Sequence, residues 1–169
     1  EMCIRDRGYD KGYLRKSMVS EPLFERVNTK DNTPCMIYTS IIDGEQVILE
    51  ITCKGAGSEN MSVIEMLKPA QGIEGVKQTV LNAVKKAGPN ACPPMVIGVG
   101  LGGSFDYAAY LAKKATVRSC DSAHPDPRYA ALEDQLLSEI NQLNIGPQGL
   151  KGDTTALKVN IETHATHIA

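Results

Sequence analysis

The sequence contains no tryptophan and only two phenylalanines among its 169 residues. A core so poor in large aromatics has to be built from Ile, Leu, Val, Ala and Met. No apolar run approaches the ~18 residues of a membrane span, and no signal-type segment opens the chain. No block of like charge occurs either: 18 basic and 20 acidic residues leave a formal charge of −2. That balance excludes the electrostatic footprint of a nucleic-acid binder or of a helix lying on a membrane. The five cysteines (Cys3, Cys35, Cys53, Cys92, Cys120) include no CxxC or CxxxC pair, which argues against a zinc knuckle or a thioredoxin-like site. Reduced thiols in a cytoplasmic protein are expected. There is no internal repeat, low-complexity linker or domain boundary. What remains is one globular domain's worth of chain, 42% hydrophobic and 22% charged, long enough to bury roughly 70% of its surface.

Apolar periodicity predicts a mixed architecture. Residues 36–42 (MIYTSII) and 47–52 (VILEIT) are β-prone and joined through Asp43-Gly44-Glu45-Gln46, which predicts an antiparallel hairpin with Val47, Leu49 and Ile51 on one face. A short helix is expected around 62–67, where Ser62 and Glu65 have capping-box spacing. Ile73, Val76, Val80, Val84 and Ala87 predict a helix over 73–87 that Gly88-Pro89 stops. MVIGVG (95–100) reads as an apolar strand, followed by a helix starting at Ser104 or Asp106. Asp126 and Pro127 suit the N-cap and first position of a helix over 128–143. Its stripe is Tyr129, Leu132, Leu136, Ile140 and Leu143. Leu157, Val159 and Ile161 alternate as a half-buried final strand. The fold class expected is α/β: a mixed sheet with helices in a single domain.

Four features carry candidate chemistry. Gly98, Gly100 and Gly103 satisfy G-x-G-x-x-G between a strand and a helix, with Asp121 downstream, as in a dinucleotide site; tight helix–strand packing explains the same glycines. Cys92, followed by Pro93 and Pro94, places a thiol on a rigid turn, suited to an iron–sulfur ligand or a nucleophile, or to nothing beyond a loop. The KGAGSEN turn (54–60) brings small residues and the donors of Lys54, Ser58 and Asn60 together, as a carboxylate or phosphate cradle or as a capped loop. His124 stands in a Pro/Asp turn, where a capping role is the plainer reading. His164 and His167, three apart at the end of a strand, are a poor metal pair. Arg15 offers a planar fork for a carboxylate, or a solvated charge.

The succession of motifs says more than any one of them. GYLRKS (12–17), KGAGSEN (54–60), NACPPMVIGVGLGGSFDYAAYLAKKA (90–115), HPDP (124–127), LNIGPQGLKGDTTAL (143–157) and IETHATHIA (161–169) follow in order. Together they resemble the α subunit, or N-terminal catalytic region, of the class I iron–sulfur fumarate hydratases and L-tartrate dehydratases, from about Gly8 to Ala169. The resemblance implies a hydro-lyase that reversibly hydrates fumarate to malate, or dehydrates a related hydroxy-diacid such as tartrate, on a [4Fe–4S] cluster held by three cysteines. Cys92 matches one cluster ligand. Arg15 matches the arginine on the substrate carboxylate, and Gly57, Lys54 and Ser58 fall in the substrate-contacting turn. His124 aligns with a histidine assigned to proton transfer. A β subunit or C-terminal domain is the implied partner, a small dicarboxylate the substrate, and neither nucleic acid nor membrane is implied.

Departures from the family pattern carry expectations of their own. A CQDTG segment with the first cluster cysteine precedes the matching region in the family, and the third cysteine follows THIA. The remaining two ligands are therefore expected outside this sequence, which reads as an internal stretch, inactive alone. Cys3, Cys35, Cys53 and Cys120 match no ligand position. Residues 1–7 (EMCIRDR) look unlike the family and are expected to be a foreign leader to a catalytic domain at 8–169. Ala56 replaces a glycine of the usual KGGGSEN, tolerable where φ is negative. Two alternatives stay open: a dinucleotide-dependent oxidoreductase using GVGLGG, and a cluster-free scaffold.

Overall fold

A computed structural model describes residues 2–168, with side chains from residue 7 onward. Glu1 and Ala169 lie outside the described residues, as do the side chains of residues 2–6, Cys3 among them, in the segment expected to be a foreign leader. The chain divides into two compact units, Glu1–Val47 and Ile48–Ala169.

The first unit opens with helix α1 (Met2–Lys11). A Val19↔Asn28 bridge then closes a loop in which the Glu21 carboxylate accepts the backbone N–H groups of Leu23, Phe24 and Glu25. These bonds hold Glu21 below the usual carboxylate range against the desolvation that opposes them.

The second unit carries the core. Its elements are α2 (Ala56–Glu59), α3 (Gly72–Ala87), β1 (Met95–Leu101), α4 (Phe105–Ala115), α5 (Pro127–Asn141) and β2 (Ala156–Thr163). The two strands pair in parallel, with Ile97 opposite Val159, Gly98 opposite Asn160 and Val99 opposite Ile161. One face of this sheet packs Val159 and Ile161 against Val80 and Val84 of α3 and Leu136 and Ile140 of α5, with Ile97 and Val99 against the same cluster. The other face, at Gly98 and Gly100, lies under α4. Helices therefore cover both faces, as a parallel pair requires. Between α3 and α5, Lys77 Nζ meets Glu139 at 2.8 Å.

Several expectations hold closely. α3, β1, α4, α5 and β2 lie where periodicity put them, and the Asp126 side chain caps α5 by accepting from the Arg128 N–H, with Pro127 at the first position. Ser104 precedes α4 as its N-cap residue.

Three expectations need correction. Neither 36–42 nor 47–52 is a strand, so the hairpin does not form. Ile41, Val47, Leu49 and Ile51 are all exposed. A two-stranded hairpin with no layer behind it is marginal at best, and β-propensity alone does not hold one. The helix expected at 62–67 is absent as well. A helical turn forms earlier, at α2, and a 3₁₀ turn later, at Pro69–Gln71, started by Pro69 and closed by the Gln71 side chain accepting from Lys68 N–H at 2.7 Å. Val63, Ile64 and Met66 have no core to face and remain exposed. Finally, β2 does not alternate as a half-buried strand. Leu157 is 55% exposed, whereas Val159, Asn160 and Ile161 are all fully buried, because both faces are covered.

Candidate functional site

Three loops widely separated in sequence meet at the N-terminal end of β1. The first follows α3: Gly88, at φ +48, ends the helix, and a 3₁₀ turn (Gly88–Ala91) leads to Cys92. Cys92 is itself in the left-handed region, at φ +54 and ψ +57, with its N–H donating to Pro89 O at 2.9 Å. A non-glycine residue there is uncommon and is held by its surroundings. Cys92 is exposed while Pro93, next to it, is fully buried. The thiol is thus presented outward from an anchored loop.

The KGAGSEN turn is the second loop. A Cβ on Gly57 would stand 2.8 Å from the carbonyl oxygen of Asn90, two residues before Cys92, so only glycine lets the turn lie this close. Ser58 Oγ donates to Gly55 O at 3.0 Å, and Lys54 Nζ lies 3.5 Å from both Ser58 Oγ and Glu59. Lys113 of α4 reaches the other Glu59 oxygen at 2.6 Å. Partial burial pushes the Glu59 carboxyl up, but the hydrogen bond and charge of Lys113, aided by Lys54, leave it lowered. Ala56 lies within α2 and is not among the positive-φ residues, so replacing a glycine there introduces no backbone strain.

The third loop is GPQG. Gln148 N–H donates to Pro93 O at 2.8 Å, and Gln148 Nε2 donates to the same oxygen at 3.3 Å. A Cβ on Gly149 would stand 2.5 Å from Pro89 Cβ.

The other candidates belong to other segments of the chain. Arg15, in the first unit, is exposed in coil beyond the end of α1. His124 is half-buried in the turn before α5: its Nδ1 accepts the Asp126 N–H at 3.0 Å, its ring lies 4.9 Å from that of Tyr129, and its own N–H donates to Glu133 Oε2 at 3.2 Å. Glu133 also accepts from Ile161 N–H, which places His124 toward the C-terminal end of β2. Six steps of ~3.3 Å make β1 about 20 Å long, so Cys92 and this end of the sheet are well apart. Asp126 is pulled down to about 2, chiefly by the Arg128 side chain and then by its backbone N–H.

The GVGLGG glycines are occupied by protein. A Cβ on Gly98 would stand 2.0 Å from Ala112 O, one on Gly100 2.1 Å from Ala108 O, and one on Gly102 2.1 Å from His164 O. Helix α4 and the strap after β2 fill the space that a pyrophosphate would take, which favours the packing reading of these glycines. Beside them, Ser104, Tyr107, His164, Thr166 and His167 line an open cleft of about 540 Å³. The Tyr107 and His164 rings meet edge to face there, at 4.8 Å.

A buried polar cluster lies outside what apolar periodicity points to. Glu133 is 1% exposed and pairs with Arg118, whose guanidinium also donates to Asn160 Oδ1 (3.0 Å), Ile161 O (3.0 Å) and Glu162 (3.2 Å). A signal was present in the sequence, since Glu133 sits between Tyr129 and Leu136 on the apolar stripe of α5, where an acid has to find a partner.

Among the described residues no group of three or more His, Cys, Asp or Glu could hold a metal ion. Cys35, Cys53, Cys92 and Cys120 are free and exposed. The residues described therefore fit one ligand of a cluster, Cys92, and not a complete set. No helix among them is long and apolar enough to cross a membrane.

Comparison with known proteins bears on this arrangement. A Methanocaldococcus jannaschii protein, named provisionally as an L(+)-tartrate dehydratase subunit alpha, is 53% identical over 116 residues, covering 69% of this chain and 41% of its own. The L(+)-tartrate dehydratase subunit alpha of Escherichia coli is 37% identical over 161 residues, covering 93% of this chain and 52% of its own, and that of Shigella sonnei matches equally. The chain thus spans about half the length of these relatives, or less. The family model described as fumarate hydratase (fumerase) matches residues 4–169. With nearly every residue inside that match, the chain belongs to the fumarate hydratase family.

Proposed function

We propose that this chain is part of the α subunit of a [4Fe–4S]-dependent hydro-lyase that adds water to, or removes it from, a small dicarboxylate of the fumarate/malate or tartrate type. The observation that carries this reading is the convergence of ACPP, KGAGSEN and GPQG on residues 89–93, around a thiol held outward in a left-handed backbone. Cys92 supplies one cluster thiolate, and the other two come from parts of the subunit beyond this sequence. When bound, such a cluster supplies an iron without a protein thiolate, a Lewis acid for the substrate's carboxylate and hydroxyl.

The chain's own residues do the remaining work. Arg15 is exposed, and its guanidinium fork suits both oxygens of one carboxylate. Lys54 presents an ammonium on the turn whose close approach Gly57 permits, beside the Cys92 loop, and Ser58, whose hydroxyl donates to Gly55 O, reaches a substrate by turning that hydroxyl outward. His124, whose Nδ1 accepts the Asp126 N–H, is left with Nε2–H as a hydrogen-bond donor, and its assignment to proton transfer rests on the family resemblance alone. A β subunit is the partner, as the relatives' designation as α subunits supports. Four free, exposed cysteines suit a reducing cytoplasm.

The test is anaerobic purification of the complete subunit with its partner. Iron and labile sulfide are then measured, alongside turnover of fumarate, malate and L-tartrate. Cys92→Ser is expected to abolish turnover and to remove the cluster's visible absorbance. Arg15→Ala is expected to raise KM for the diacid at least about tenfold, the size of one charged hydrogen-bonded contact. Full turnover and iron content in Cys92→Ser would overturn the proposal, as would a wild-type complex with neither iron nor turnover.

A further inference from the structure

The mechanism above gives Gln148 no part, yet it is one of the most constrained residues near Cys92. It lies at φ +54 within a 3₁₀ turn, in a region that non-glycine residues rarely enter. Its backbone N–H and side-chain amide both donate to one oxygen, Pro93 O, at 2.8 and 3.3 Å. Pro93 is fully buried, and Cys92, the residue before it, is likewise left-handed. Two non-glycine residues with positive φ thus sit on touching loops, one carrying an exposed thiol and the other gripping the peptide next to that thiol. Such conformations persist where the surroundings over-determine them, and they cluster where geometry matters for function.

The rest of the GPQG loop is built to deliver Gln148 to this place. Gly146, at φ +69, would bring a Cβ within 2.2 Å of the Lys151 carbonyl, and Gly149, at φ +75, packs against Pro89. Lys151 N–H donates to Ile145 O at 2.8 Å and Gly146 N–H to Thr155 Oγ1 at 3.2 Å, closing the loop on itself and on the start of β2. Met95 N–H donates to Thr155 O at 3.0 Å, so the chain just after Pro94 is tied to that same point. The Cys92 turn is held on its C-terminal side by β2 and from outside by Gln148. A glycine at position 148 would satisfy the backbone conformation without strain. Glutamine adds only its amide, and the structure directs that amide to Pro93 O.

We infer that Gln148 is a positioning residue for Cys92: its amide, added to its backbone N–H on the Pro93 carbonyl, fixes the direction in which the thiol leaves the loop. The inference rests on Cys92 as the cluster ligand, and its test separates the two claims. Gln148→Met keeps side-chain length and neutrality but loses the donor, and Gln148→Gly also relieves the left-handed backbone, which guards against a variant that fails to fold. In cluster-free full subunit, iodoacetamide alkylation is followed at each cysteine by peptide mass spectrometry. In both variants the Cys92 rate is expected to shift at least about threefold, as one lost net hydrogen bond allows, while Cys35, Cys53 and Cys120 keep their rates as internal controls. In the cluster-loaded complex, iron loss to a chelator is expected to accelerate by a similar factor. An unchanged Cys92 rate in both variants, or equal shifts at all four cysteines, would overturn the inference. Should the wild-type complex take up no cluster, the proposed function falls, and the alkylation rates alone decide the role of Gln148.

Discussion

Gly100→Ala tests the account of the GVGLGG segment, because it adds a single methyl where α4 crosses β1. That methyl would stand 2.1 Å from Ala108 O, 2.6 Å from Ala112 N and 2.9 Å from Leu111 Cβ. Ordinary contact begins at 3.4 Å, so the helix has to retreat by about 1.3 Å, and the atom pressed is helix backbone, which has no rotamer to yield. Overpacking of this kind costs about 1–3 kcal/mol, and a backbone clash belongs at the upper end, roughly a 150-fold loss in the folding equilibrium. With a urea m-value of about 2 kcal/mol/M, the unfolding midpoint should fall by about 1.5 M. Urea titration followed by circular dichroism measures it directly, with Gly8→Ala, which has nothing within 4 Å, as the matched control. A midpoint within about 0.25 M of wild type would mean that α4 does not rest on Gly100, and the packing explanation of the motif would go with it.

Two further outcomes follow from the buried cluster and the α5 cap. Glu133→Ala removes the buried one of the two carboxylates on the Arg118 guanidinium, leaving Glu162 alone, and strips partners from the N–H groups of Ile161 and His124. The expected cost is about 3–5 kcal/mol, a melting point lower by about 10 °C in thermal unfolding; a loss below about 1 kcal/mol would show that the cluster is not structural. Asp126 has its pKa depressed to about 2, so its contribution is present above the unfolded value near 4 and disappears as pH falls through the folded one. The stability gap between wild type and Asp126→Asn should be full at neutral pH and close between about pH 4 and 2. A gap that stays open at the acid end would sink the capping argument.

Most of the second unit was legible because its elements are specified locally. The α3 stripe of Val76, Val80 and Val84, the Asp126–Pro127 start of α5 and the apolar run of β1 each announce themselves within one segment. The hairpin expected over 36–52 does not form because a strand depends on a partner and a covering layer, which no local pattern reports. Glu133 is invisible to apolar periodicity, because the meaning of an acid among apolar positions depends on Arg118 and Asn160. The candidate site was legible as a set of motifs but not as a geometry. Nothing in ACPP or GPQG shows that they touch, and the contact runs through Pro93 O, an atom every residue has.

Helix α5 also decides the side on which the sheet can grow. Two of its side chains, two turns apart, hold the outer edge of β2: Asn141 bonds the N–H groups of Thr155 and Ala156 and the Ala156 carbonyl, and Glu133, with Arg118, takes the Ile161 N–H and C=O. Those peptide groups are closed to an incoming strand. Among the described residues no side chain holds the flank of β1 as Asn141 and Glu133 hold that of β2, so a further strand has a single door into this sheet, and β1 would stand between β2 and whatever joins it.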